Sequence, residues 1–133
     1  MSFSDKLITI STRNSWEIRD NFDISLVLKD DGFYLRGKRV RIAEIFKKPE
    51  TTRKVVKVSK EWSNGILNEL RSANIPLMPQ EARGCDGTFY SMIVGSSYGG
   101  ATYNWWSHPP TGWEILPKVT HQMIEEFSKA FPE

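Results

Sequence analysis

Strand-like patterns follow one another along the first 58 residues before any helical pattern begins, and this order limits the folds open to the chain. Residues 7–12 have strand-like content. Apolar residues then alternate from Phe22 to Leu28, and Asp30-Asp31-Gly32 reads as a hairpin turn into a returning strand that Gly37 is expected to interrupt. Residues 53–58 are a further short strand. Strands that follow one another without intervening helices predict a mostly antiparallel sheet.

The apolar period becomes helical in two later segments. After Ser59, a candidate N-cap, apolar residues recur at helical spacing as far as residue 73, although Gly65 weakens this helix. Strands over residues 88–94 and 101–106 then form a second hairpin, and an amphipathic helix follows from Leu116. The predicted fold is α+β, with a single mostly antiparallel sheet of five to six strands and two helices packed on one face.

Size and composition predict one domain over residues 1–133. Hydrophobic residues make up 39% and charged residues 26%, which excludes a disordered chain and a fibrous repeat. No apolar run approaches the roughly 20 residues of a membrane helix, so no membrane association is expected. The first residues show no secretory pattern, and the single cysteine, Cys85, fits a reducing compartment. We therefore expect a cytoplasmic protein.

Candidate nucleophiles lack the surroundings that catalysis needs. Gly95-Ser96-Ser97-Tyr98-Gly99 matches the G-x-S-x-G elbow, but a strand follows it where the elbow requires a helix. Cys85 lies at a predicted turn, and a role for it with His108 or His121 is only formally possible. The two histidines also lack the spacing and the carboxylates of a metal site. We predict no catalytic residue, no metal, no cofactor and no enzymatic activity.

Positive charge is concentrated in residues 36–60. This segment holds ten of the 18 basic residues and two acids, whereas the rest of the chain is net negative. Arg39 and Arg41 alternate with Val40 and Ile42, which predicts that both arginines project from the solvent face of one strand. A solvated face with lysines protecting a sheet edge explains the segment equally simply. If the segment binds a partner, the predicted partner-binding residues are Arg39, Arg41, Lys47, Lys48, Arg53 and Lys54.

Aromatic residues form a second cluster, with seven of the chain's 16 in residues 89–113. Tyr90, Tyr103 and Trp105 are expected on the core face of paired strands. Trp106 must then point the other way, because neighbouring strand residues face opposite sides. We favour Trp113 folding back over Trp106. The alternative is an exposed tryptophan that anchors a partner beside the Pro-Pro-Thr-Gly-Trp loop.

Four short motifs carry a family resemblance over about half of the chain, from Trp62 to the C-terminal helix. They are Ile75-Pro76-Leu77-Met78-Pro79, Asp86-Gly87-Thr88-Phe89-Tyr90, Tyr103-Asn104-Trp105-Trp106 and Pro110-Thr111-Gly112-Trp113-Glu114-Ile115-Leu116. The combination resembles a pattern of small bacterial proteins, some of which read as immunity proteins that guard against a sibling toxin. The resemblance implies a non-enzymatic binding protein and transfers no catalytic residue.

Two functions from different classes follow from these observations. The first is an immunity protein that neutralises a cognate toxin by occluding it. The alternative is a nucleic-acid-associated protein that uses the basic residues of segment 36–60. A small hydrolase using Ser97 or Cys85 is a third and weaker hypothesis. The sequence does not decide whether the basic segment or the aromatic C-terminal loop is the binding surface.

Overall fold

The structure, a computed structural model, describes residues 4–14, 20–41, 48–78, 87–96 and 99–131, and these ranges contain six strands and two helices. In chain order they are β1 (Ser4–Asn14), β2 (Asn21–Lys29), β3 (Gly32–Arg41), β4 (Glu50–Val58), α1 (Lys60–Ser72), β5 (Thr88–Ser96), β6 (Gly99–Trp105) and α2 (Ile115–Ser128). Both candidate nucleophiles, Cys85 and Ser97, lie outside the described residues.

The six strands form one sheet in the order β4-β3-β2-β1-β5-β6, and every neighbouring pair is antiparallel. Strands β1 to β4 form a meander of consecutive neighbours, and the β5–β6 hairpin is added beside β1. The predicted α+β fold with a single antiparallel sheet is therefore confirmed.

The β2–β3 hairpin shows how the side chains of β3 are distributed between the two faces. Asp30 and Asp31 form the turn, and Gly32 has a φ of 140°, a conformation that other residues rarely adopt. Gly37 lies directly opposite Ile24, and the register runs through it without a shift. The expected interruption at Gly37 is therefore wrong, and odd-numbered residues of β3 keep to one face along the whole strand.

Helix α1 begins where the sequence predicts. The hydroxyl oxygen of Ser59 accepts a hydrogen bond from the backbone N–H of Trp62 at 3.0 Å, which is an N-cap. Ile66 is buried, and Trp62 and Leu70 pack against the core. The helix ends at Ser72, one residue before the predicted helical spacing ends.

The hydrophobic core lies between the two helices and one face of the sheet. Met123 and Phe127 of α2 are completely buried there, as are Ile10 and Leu26 of the sheet. The same face holds the apolar residues of β2 that the alternation predicts. No helix in the described ranges has the length and apolarity needed to cross a membrane.

The aromatic cluster matches the prediction in part. Trp105 is 3% exposed and stacks on Tyr90 with ring centroids 5.5 Å apart, and Tyr103 also packs against the core. Trp113 contacts Tyr103 edge-on at 5.3 Å rather than covering Trp106. Its indole N–H donates to the backbone oxygen of Pro76 at 3.0 Å, and this bond holds the ring away from Trp106.

Candidate binding surface on the open face of the sheet

The helices cover one face of the sheet, and we call the opposite one the open face. It is made by the strand residues that point away from the core. Cross-strand register aligns these residues in rows. One central row contains Val55, Arg36, Ser25, Thr9, Ile93 and Thr102, and the next contains Arg53, Lys38, Asp23, Ser11, Ser91 and Asn104.

The open face is strongly basic. Among its described strand residues, Asp23 is the one acid. The cations number seven and come from all of the first four strands: Lys6, Arg13, Lys29, Arg36, Lys38, Arg53 and Lys57. Charge of one sign on one face attracts a partner of the opposite sign.

Asp23 is held by two of these cations. Arg13 donates hydrogen bonds to both carboxylate oxygens at 3.0 Å, and the Lys38 ammonium nitrogen lies 3.7 Å away. Burial acts to raise the pKa of the Asp23 carboxyl. Hydrogen bonds from Arg13 and Ser11, together with the charges of Arg13 and Lys38, outweigh burial and lower that pKa below its usual value. Asp23 is therefore ionised at neutral pH and already neutralised.

Arg36 and Arg53 stand near the middle of the basic part of this face. Neither forms an ion pair with any residue in the described ranges. Lys38 lies directly opposite Arg53 in the register, and Asp23, 3.7 Å from the Lys38 ammonium, partly compensates this like-charge pairing. These three cations, with the hydroxyls of Thr9 and Ser25, line a shallow depression of ≈ 640 Å³. The arrangement suits carboxylate or phosphate oxygens.

At one end of the open face, Tyr34 organises two lysines. The ammonium nitrogen of Lys29 lies 4.8 Å from the centre of the Tyr34 ring, and that of Lys57 lies 5.9 Å away. The Tyr34 hydroxyl donates a hydrogen bond of 2.6 Å to Asp31. This bond lowers the pKa of Asp31 and raises the pKa of Tyr34. The Tyr34 ring therefore brings two lysine ammonium groups together at this end of the open face.

The opposite corner of the open face is aromatic. Phe89 and Trp106 meet edge-to-face at 5.1 Å, and both are half-buried. Arg13 pairs with Phe89 across the β1–β5 ladder. The basic and aromatic clusters, which are separate in sequence, therefore meet on one face. Segment 36–60 alone could not indicate this, because the cation that joins them belongs to β1.

The residues predicted to bind a partner are divided between several places. Arg53 lies on the open face and Lys48 is exposed before β4. Arg39, Arg41 and Lys54 lie on the helix side of the sheet, and Lys47 lies outside the described residues.

Arg39 is the clearest departure from expectation. Its guanidinium lies 4.1 Å from the centre of the Phe131 ring, its side chain is 17% exposed, and its Nε is 4.0 Å from the Asp20 carboxylate. Arg41 also pairs with Asp20, at 3.3 Å, and Lys54 lies 5.7 Å from the Phe131 ring. The prediction that Arg39 and Arg41 project from the solvent face of one strand is wrong for both, because both lie on the helix side, although the Arg41 side chain is 51% exposed there. The cause is the unbroken alternation through Gly37.

That same alternation was the signal that could have found the correct residues. With Phe33 and Leu35 facing the core, continued period-two spacing places Arg36 and Lys38 outward. The contributions of Lys6 and Arg13 could not be found in this way, because they depend on β1 lying beside β2 in the sheet.

The described residues do not form the arrangement that a catalytic site or a metal site would need. The G-x-S-x-G stretch joins two antiparallel strands, β5 and β6, which is the context of a hairpin and not of a nucleophile elbow. His108 is exposed after β6, and His121 is exposed on α2, its ring 6.0 Å from that of Tyr90. Within the described ranges no three His, Cys, Asp or Glu residues come together as metal ligands.

Comparison of the chain with protein-family models, with curated proteins and with solved structures finds no match.

Proposed function

We propose that this protein is a non-enzymatic binding protein that docks an acidic protein partner on the open face of its sheet. The observation that carries the proposal is a face that neither helix covers, with seven cations and one neutralised acid among its described strand residues. Its biological form, which the motif resemblance suggests, is an immunity protein that blocks a cognate toxin by covering it.

The size of the open face supports a protein partner. Six strands about 4.8 Å apart, with about seven residues each at about 3.4 Å per residue, present an area of about 700 Å². A stable protein–protein interface takes about 800 Å² from each partner. The face is therefore large enough to support specific association, whereas a single small anion would use only the central depression.

The charge pattern indicates that the partner carries carboxylate groups. Arg36 and Arg53 have planar guanidinium groups that bind carboxylates with two parallel hydrogen bonds. A partner with two or more aspartates or glutamates on a convex surface would supply carboxylates to these two arginines. The basic cleft of a nuclease, or of another toxin that binds polyanions, would be repelled by this basic face. We therefore expect the protein to contact an acidic part of the toxin's surface.

The test is protection of cells from a cognate toxin, which is to be sought first among the genes that neighbour this one. Wild-type protein should restore growth of cells that make that toxin, and the Arg36→Glu/Arg53→Glu double variant should not. We expect each reversal to weaken toxin binding at least tenfold, about 1.4 kcal/mol, because like charges then face each other. Arg71→Glu, an exposed arginine on α1, is the matched control and should protect as wild type does. Full protection by the double variant would show that the open face is not the docking surface.

A nucleic-acid role is the second candidate. The position of Arg13 opposite Phe89 in the β1–β5 ladder favours it, since bases stack on aromatic rings beside cations. Titration of the wild type with generic duplex and single-stranded DNA and RNA at two salt concentrations separates the two functions. Micromolar, salt-sensitive binding would establish the second candidate in place of the first. We expect no binding at physiological salt.

A further inference from the structure

The two edge strands of the sheet differ in how well their sequences prevent pairing with another strand. Strand β4, at one edge, carries Arg53, Lys54 and Lys57, and charged side chains of this kind discourage edge-to-edge pairing. Strand β6, at the other edge, reads Gly-Gly-Ala-Thr-Tyr-Asn-Trp and holds no charge and no proline. In the described part of the chain, β5 is the one neighbour of β6. One row of its backbone N–H and C=O groups therefore faces outward.

The first half of β6 is exposed on both faces of the sheet. Residues 99–102 are all exposed, although neighbouring residues of a strand point to opposite faces. Neither the helices nor another strand therefore covers this stretch on either face. Ile93 of β5, which pairs with Thr102 on the open face, is 49% exposed. This half of the strand is therefore accessible to another strand along its outer edge.

The sequence of β6 is complementary in size to itself. Small residues occupy its first half, and large residues occupy its second half. In an antiparallel pairing of two copies centred on Thr102, each large residue lies opposite a small one. The pairs are Tyr103 with Ala101, Asn104 with Gly100 and Trp105 with Gly99. A parallel pairing would instead place large residues against large ones.

We propose that two copies of this chain associate through antiparallel pairing of their β6 strands about a two-fold axis at Thr102. The pairing satisfies the outward backbone groups and joins two six-stranded sheets into one. The free edges of the pair are then the two charged β4 strands, so assembly stops at two copies instead of continuing into a fibre. This proposal does not depend on what binds the open face.

The test is the mass of the protein in solution. At about 100 µM, a concentration suited to an interface at the small end of the range, wild type should sediment at twice the 15.3 kDa chain mass. Thr102→Lys places two like charges directly opposite each other at the axis and should give a monomer with an unchanged melting temperature. Thr51→Lys makes the same substitution at an exposed site on the β4 edge and should remain dimeric.

A cross-link tests the register of the pair. In a Cys85→Ser background, Thr102→Cys should form a disulfide-linked dimer on mild oxidation, because each new cysteine lies opposite its own copy. Asn104→Cys should not, since it lies opposite Gly100 of the other copy. A monomeric wild type at this concentration, a dimeric Thr102→Lys variant, a monomeric Thr51→Lys variant or a cross-linked Asn104→Cys variant would each overturn the proposal.

Discussion

At the scale of single residues, two glycines differ in whether their surroundings leave room for a side chain. A Cβ added to Gly37 would lie 2.8 Å from the Cα of Ile24 and would collide with the carbonyl oxygen of Asp23. A Cβ added to Gly65, in the middle of α1, would meet nothing within 4 Å. The β2–β3 ladder thus requires a residue without a side chain, and the helix does not.

The same substitution should therefore have opposite effects at the two sites. Gly37→Ala should lower the free energy of unfolding by about 1–3 kcal/mol, the usual cost of overpacking. Gly65→Ala should raise it by about 0.5–1 kcal/mol, since alanine is the better helix former. Urea unfolding of both variants beside wild type measures the difference. A neutral Gly37→Ala would mean that β2 and β3 do not approach this closely.

The Arg13–Asp23 pair makes stability depend on pH in a defined direction. The folded-state pKa of Asp23 is lowered, so its contribution is complete above the unfolded-state pKa of about 3.9 and is lost as pH falls through the folded value. Arg13→Gln should therefore cost about 0.5–1 kcal/mol at pH 7 and less at pH 2.5, which lies below the unfolded-state pKa. Urea unfolding at both pH values checks this, with Arg71→Gln as the exposed control. If Arg13→Gln lowered the free energy of unfolding equally at both pH values, the effect of Arg13 would be due to packing and not to its ion pair with Asp23.

At the scale of elements, the β5–β6 hairpin depends on aromatic packing for its attachment to the core. Trp105 stacks on Tyr90, and Trp113, from the loop before α2, contacts Tyr103 and reaches back to Pro76. The Trp105 ring is thus held by the paired strand, and the Tyr103 ring is held by the loop before α2. Towards the far end of the hairpin, Gly95, Gly99 and Gly100 are exposed.

Removal of Trp105 should consequently unfold much of the protein. Trp105→Ala should cost about 3–5 kcal/mol out of a total of about 5–15 kcal/mol. Trp105→Phe keeps most of the buried ring and removes an indole N–H that is buried without a hydrogen-bond partner among the described residues, so it should cost much less. Thermal melts of the two variants measure the order. A melting temperature near that of wild type for Trp105→Ala would place this ring outside the core.

At the scale of the whole molecule, local patterns predicted the elements but not their arrangement. Period-two alternation located β2 and β3, and a hydroxyl before a helical period located α1, because both signals act between residues close in sequence. The placement of β1 between β2 and β5 depends on contacts between distant residues, so it could not be read in advance. The same limit hid the candidate site. Its cations come from four strands, and their common face exists only once the sheet is assembled.

The position of β1 also has a consequence for synthesis on the ribosome. Its second partner, β5, begins at Thr88, about 75 residues after β1 ends at Asn14. At about 5–20 residues per second, the ribosome needs about 4–15 s to make the intervening chain. During that interval one side of β1, with its alternating Ile8 and Ile10, is an unpaired edge on a half-built sheet. Lys6 and Arg13 flank this stretch, and we expect their charges to keep nascent chains apart during that interval.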